Sequence, residues 1–158
     1  MNELDEFFMR EAIALSVMGM TNGKGGPFGA VIVKNGQIVG KGHNQVTSTN
    51  DPTAHAEVVA IRDACQNLGT FQLENCTLYT SCEPCPMCLG AIYWARPERI
   101  VFACTKDDAA NIQFDDAFIY QEMALPVSGR SIKTDQCLRH EALQAFVMWK
   151  EKSDRTNY

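Results

Sequence analysis

The chain has 158 residues, enough for one domain that buries about two-thirds of its unfolded surface around a single core, with no room for a second catalytic module. Its first residues, MNELDEFFMREA, are acidic and amphipathic, and no apolar run approaches the roughly eighteen residues of a membrane span, so neither a secretory leader nor a spanning helix is expected. The net charge of −5, with no cluster of Lys and Arg, weighs against a phosphate-backbone ligand and toward a small neutral one, and the expected setting is soluble and cytoplasmic.

Taken in chain order, residues 3 to about 19 carry Leu4, Phe7, Phe8, Ile13, Ala14, Leu15 and Val17 at helical spacing, and Gly19 is read as the stop. A Gly-rich loop, residues 21–27, follows, and it suits neither helix nor strand. Residues 28–33 and 37–42 are rich in Val and Ile and flank Asn35-Gly36, a hairpin signal that predicts the first two strands. Phe28, at the junction of loop and strand, is either core filler or a ring facing a ligand. Asn44 follows the second strand. Turns favour Asn, but its neutral amide also suits the donor and acceptor edge of a purine.

From Thr53 the run AHAEVVAIRDAC predicts a helix, with Asp51 or Thr53 as its cap and His55 and Glu57 in its first turn. Residues 76–80 predict a third strand, and the turn Ser81-Cys82-Glu83-Pro84 leads into a helix over about 85–95. Trp94 lies nearly two turns into it, as core or as pocket wall. A fourth strand is expected over 100–104. Asp115 and Asp116 then sit between Phe114 and Phe118, read either as a solvated acidic turn or as carboxylates that recognise ligand N–H groups. Residues 131–134 suggest a fifth strand, and about 138–150 a last helix whose Leu143, Phe146, Val147 and Trp149 need a surface to cover them.

Two short runs carry the chemistry: Ala54-His55-Ala56-Glu57 and Glu83-Pro84-Cys85-Pro86-Met87-Cys88. One imidazole and two thiolates give a Zn²⁺ ion the three protein ligands of a catalytic site, whereas a closed structural site needs a fourth. Cys85 and Cys88, at i and i+3 on a helix start, face one side, where the helix dipole and free N–H groups favour thiolates. Glu57 is not a ligand and stands where a carboxylate can move protons to and from water. His43 and His140 lack such support and are read as structural. The remaining five of the seven cysteines are read as small buried hydrophobes in a reducing compartment; Cys82 stands near enough to compete for metal in a damaged or misfolded site.

The pattern H-x-E with P-C-x-x-C marks zinc deaminases of nucleobases. With G-G-P-F-G-A-V-I-V-K, N-D-P-T-A-H-A-E-V, L-Y-T-S-C-E-P-C-P-M-C-L-G-A-I-Y-W-A-R-P, F-D-D-x-F-I-Y and a terminal Tyr, nearly the whole chain resembles the cytidine-deaminase-like superfamily and, within it, the small bacterial guanine deaminases. The resemblance implies an α/β fold of three layers, α/β/α, around a five-stranded mixed sheet. It implies zinc as cofactor, held by His55, Cys85 and Cys88, with Glu57 as proton shuttle. It implies Phe28 and Trp94 as pocket walls, Asn44 on a polar edge of the base, Asp116 accepting from its N–H groups, and Tyr158 in a C-terminal lid. Residues 1–158 then form one deaminase domain whose segment from about 137 to 158 exchanges with a partner subunit, giving a homodimer. The partner molecule is a purine base, and neither a membrane nor a nucleic acid is expected.

The activity this implies is hydrolysis of guanine to xanthine and ammonia. A tRNA adenosine deaminase shares the zinc pattern and is the nearest alternative; the acidic charge, the absence of a basic tail and the set Phe28, Trp94 and Asp116 weigh against it. Cytosine, cytidine, other amino-purines and triazines stay open, because a zinc site with a carboxylate shuttle serves any amidine-like carbon. A zinc module that only binds a partner is the remaining alternative, and Glu57 speaks against it.

Overall fold

A computed structural model describes residues 2–158. It contains two compact units, one running to Asp116 and the other Ala117–Tyr158. The first holds α1 (Glu3–Thr21), β1 (Gly29–Lys34), β2 (Gln37–His43), the one-turn α2 (Val46–Thr49), α3 (Ala56–Leu68), β3 (Cys76–Cys82), α4 (Pro86–Ala95), β4 (Arg99–Cys104) and α5 (Lys106–Asn111). The second holds α6 (Ala117–Ala124), a 3₁₀ turn (Val127–Gly129) and α7 (Arg139–Glu151).

The sheet is mixed, in the order β2-β1-β3-β4. β1 pairs antiparallel with both β2 and β3, and β3 pairs parallel with β4. Asn35 and Gly36 both take positive φ, 51° and 74°, which is the primed turn that the hairpin signal predicts. Strand alternation then divides the core into two layers. Ala30, Ile32 and Leu78 face Ala56, Ala60 and Ala64 of α3 and Ile92 and Ala95 of α4. Val31, Val33, Tyr79 and Val101 face Phe8 and Ala12 of α1. The three-layer arrangement is therefore present, on four strands.

The fifth strand does not form among the described residues. Residues 131–134 make no ladder, and the Ser131 N–H donates to the Glu122 carboxylate at 2.8 Å, so its first donor is already taken within the second unit. Nor does Gly19 end the first helix. α1 runs on to Thr21, and a Cβ on Gly19 would lie 2.9 Å from the His43 imidazole, so this glycine is a packing position.

Two further glycines set where α3 lies. A Cβ on Gly42 would come 2.2 Å from the carbonyl oxygen of Ala56, and one on Gly40 2.5 Å from that of Ala60. With Ala56, Ala60 and Ala64 on the facing stripe, helix and strand approach backbone to backbone, which fixes the first turn of α3 against β2. Across the sheet, Asp5 anchors α1. Its carboxylate accepts from the Tyr79 hydroxyl at 2.7 Å and takes a forked pair from Arg99 at 2.8 and 3.1 Å. This charge-assisted fork holds α1 to β3 and β4 together.

In the second unit no helix residue is buried. Phe146, Val147 and Trp149 of α7 are exposed in the single chain, and Leu143 of the same face is half-buried.

Candidate metal and proton-transfer site

Two helix starts meet at the site. His55 is the N-cap residue of α3, and Cys85 the N-cap residue of α4, with Pro86 at the first helical position and Cys88 one turn on. Neither cap residue spends its side chain on its own helix. Asp51 and Thr53, the caps expected from sequence, bond each other instead, with the Thr53 N–H and hydroxyl both donating to Asp51 at 2.8 and 2.7 Å. The His55 ring is thus free to turn toward the thiols.

His55 Nδ1 lies 3.6 Å from Cys85 Sγ and 3.4 Å from Cys88 Sγ. With zinc–sulfur near 2.3 Å and zinc–nitrogen near 2.0 Å, a tetrahedral ion requires N···S edges of about 3.6 Å, so the donor set fits. The three ligand atoms all lie within 4.8 Å of one another, and they form the one group of this kind among the described residues. Cys85 and His55 share charge. The Cys85 thiol is pulled down to about 4, first by the hydrogen bond from Cys88 and then by that from His55. His55 is raised in turn, chiefly by its bond to Cys85, and the Cys88 proton is held high by Cys85 and by burial.

Glu57 is buried at the edge of this set, and its Oε2 accepts from Cys88 Sγ at 3.4 Å. Burial pushes its carboxyl up. The carboxylate and the two sulfurs therefore face one small volume, two residues along α3 from the imidazole.

Asn44 is also buried, and it is held at four points. Its N–H donates to the Phe28 carbonyl at 3.0 Å, and its Oδ1 accepts from the amides of Gly26 at 3.3 Å and Val46 at 3.2 Å. The fourth is an imidazole N–H from His43 to its carbonyl oxygen, at 3.2 Å. A Cβ on Gly25 would sit 2.2 Å from Oδ1, so the Gly-rich loop exists to let the amide in. The acceptor half of the carboxamide is committed to backbone, and Nδ2 has no protein acceptor among the described residues. Asn44 is thereby a donor only, not the two-way group that its side chain allows in isolation.

Phe28, half-buried, meets the Phe114 ring edge-on with centroids 5.0 Å apart. Asp116 closes the first unit; burial, and next the Cys85 thiolate, push its carboxyl up. Trp94 is 65 % exposed on α4, so it is a surface residue and not core. Tyr158 ends the second unit and is exposed there. Cys82 is buried with its thiol held up to about 11 by burial, and it donates to the Thr105 carbonyl at 3.5 Å, which takes it away from metal competition.

Residues 2–104 match the cytidine and deoxycytidylate deaminase zinc-binding region. The chain belongs to that family. Its cofactor is zinc, and the His55, Cys85 and Cys88 cluster is capable of holding it. Among the members of the family, the chain is 53 % identical to the guanine deaminase of Bacillus subtilis over 153 residues, 97 % of this chain and 98 % of the relative. The X-ray structure of guanine deaminase from Bacillus subtilis superposes with a TM-score of 0.95 at 52 % identity, covering 100 % of this chain and 99 % of that one. The tRNA-specific adenosine deaminase of Aquifex aeolicus is 44 % identical over only 98 residues, 62 % of this chain and 64 % of the relative. The match to the Bacillus subtilis guanine deaminase thus takes in the second unit as well, whereas that to the Aquifex aeolicus enzyme covers less than two-thirds of the chain. No helix is long and apolar enough to cross a membrane among the described residues.

Proposed function

We propose that this chain is a zinc-dependent guanine deaminase, hydrolysing guanine to xanthine and ammonia, with His55, Cys85 and Cys88 as metal ligands and Glu57 as the proton shuttle. The observation that carries the reading is a match to guanine deaminase along 97 % of the chain, laid over a His/Cys/Cys donor set with a buried carboxylate beside it. Zinc, when bound, supplies the Lewis acidity that makes water a nucleophile near neutral pH.

The chain's own residues do the rest. Glu57 takes one proton from the attacking water at Oε2 and gives it to ring N3 as C2 is attacked; it then takes the second proton from the new C2 hydroxyl and gives it to the 2-amino group, which leaves as ammonia while C2 regains a carbonyl. One water enters and one ammonia leaves, so the carboxylate returns to its starting state. Asn44 donates from Nδ2 to an acceptor on the purine edge, and Asp116 accepts from its N–H groups. Phe28, backed by the Phe114 ring, forms one wall, and Trp94 another.

The exposed apolar face of α7 supports a homodimer in which the segment from about 137 to 158 packs on a second copy and brings Tyr158 over that copy's site as a lid. The seven cysteines, none of them in a disulfide among the described residues, suit a reducing, cytoplasmic setting.

Ammonia release from guanine, guanosine, adenine and cytosine by the zinc-replete protein tests the assignment. Release from guanine is expected. Activity confined to another amine overturns the substrate, and silence on all four together with retention of tRNA on a filter moves the chain to the adenosine deaminases.

A further inference from the structure

We infer that His43 is a positioning residue for substrate binding, acting through Asn44; this rests on the guanine deaminase reading above. Sequence gives His43 no role. It is the last residue of β2, outside the metal set, and directly precedes Asn44.

The geometry gives it one. The Asn44 carbonyl can only accept, so the bond to His43 requires the proton on Nδ1. The ring is pressed from its other side by α1. Gly19 is bare where any Cβ would stand 2.9 Å from Cβ, Cγ and Nδ1 of His43. The imidazole is thus a wedge between the α1 backbone and the peptide that carries the Asn44 side chain. Three of the four restraints on Asn44 come from backbone groups of Phe28, Gly26 and Val46, which any sequence of the same fold supplies. The fourth comes from a side chain. Removing it frees the Asn44 peptide to tilt, and Nδ2, the one atom of the residue left for a ligand, moves with it.

The test is a double-mutant cycle on the zinc-loaded full chain. His43→Leu keeps similar bulk without a donor. His43→Asn places an amide nitrogen at the same δ branch as Nδ1 and can restore the bond. His43→Leu should raise KM for guanine roughly three- to tenfold, the factor that one hydrogen bond sets, with kcat changed by less than about twofold. His43→Asn should return KM toward the parent value. In an Asn44→Ala background His43→Leu should have little further effect, because the group it positions is gone. Additive losses in that cycle, an unchanged KM in His43→Leu, or a fall in kcat alone would each overturn the proposal.

Zinc content and thermal midpoint are measured alongside, and His43→Ser enters the same cycle if His43→Leu does not fold. Should the wild-type chain deaminate a different purine, the guanine assignment falls, while the cycle run on that purine still decides the role of His43. Calorimetric titration of the base into Glu57→Gln, with and without His43→Leu, reads the same effect without turnover.

Discussion

His55 Nδ1 stands 3.4 Å from Cys88 Sγ across 33 residues of chain, because α3 and α4 begin at the same place in space. Each helix start delivers a side chain that its own helix leaves unused. Site and architecture are therefore one arrangement, and changes to either register in the other.

Glu57→Gln keeps the size and burial of the side chain but cannot accept or return a proton. The variant is expected to bind zinc at full stoichiometry and to lose at least about 10³-fold in kcat, since both proton transfers run through one oxygen. Metal analysis beside an ammonia assay checks this, and appreciable turnover would refute the shuttle.

His55→Ala and Cys85→Ala each remove one of three protein donors. Loss of zinc and a lower thermal midpoint are the expected results, and a chelator should lower the midpoint of the wild type by a similar amount. Full zinc stoichiometry in either variant sinks the ligand assignment.

Asn44→Asp keeps an oxygen for the amides of Gly26 and Val46 and replaces the Nδ2 donor by a second, charged oxygen. The chain should fold and bind zinc, while KM for guanine rises by about 10²-fold or more, as expected where a buried donor becomes an anion facing an acceptor. Steady-state kinetics decide it; an unchanged KM means that Nδ2 does not meet the substrate.

Gly42→Ala forces a methyl group toward a carbonyl oxygen only 2.2 Å away, so α3 must retreat from β2. The expected loss of stability is about 1–3 kcal/mol, the usual cost of overpacking. Zinc affinity should fall as well, because the first turn of α3 carries His55 and Glu57. Chemical denaturation and competition with a colorimetric chelator read the two effects separately.

The Asp5 fork sets a pH limit far from the site. Its carboxyl is drawn from 3.8 down to about 2, first by the Arg99 hydrogen bonds and then by the Tyr79 hydroxyl. A folded-state value below the unfolded one means stability that is complete above about pH 4 and lost as pH falls toward 2. On the alkaline side Tyr79, raised to about 12 by burial and by Asp5, contributes stability that is lost as pH climbs from about 10 through 12. The gap in urea midpoint between wild type and Asp5→Asn should therefore be constant near neutrality and close between pH 4 and 2. A gap that persists at pH 2 contradicts this.

What the sequence determined by itself was local. His55 lies two residues from Glu57 and Cys85 three from Cys88, so each half of the site is spelled out at one helix start, and the H-x-E and P-C-x-x-C pattern joins the halves. Asn35-Gly36 specified its turn because few residue pairs tolerate two positive φ angles. The first four strands and the long helices followed from apolar periodicity.

Only the tertiary structure decided the rest, because it depends on groups distant in sequence. Gly19 reads as a helix stop by propensity; the His43 ring across from it turns the same residue into a contact surface. Residues 131–134 alternate like a strand, yet a strand exists only where a ladder partner stands, and Glu122 takes the first N–H instead. Asn44 has a two-way amide by composition, and it becomes a donor because Gly26 and Val46 occupy its oxygen. His43 carries no pattern at all. Its place between Gly19 and the Asn44 carbonyl is set by how α1 lies on the sheet, which no stretch of the chain spells out alone.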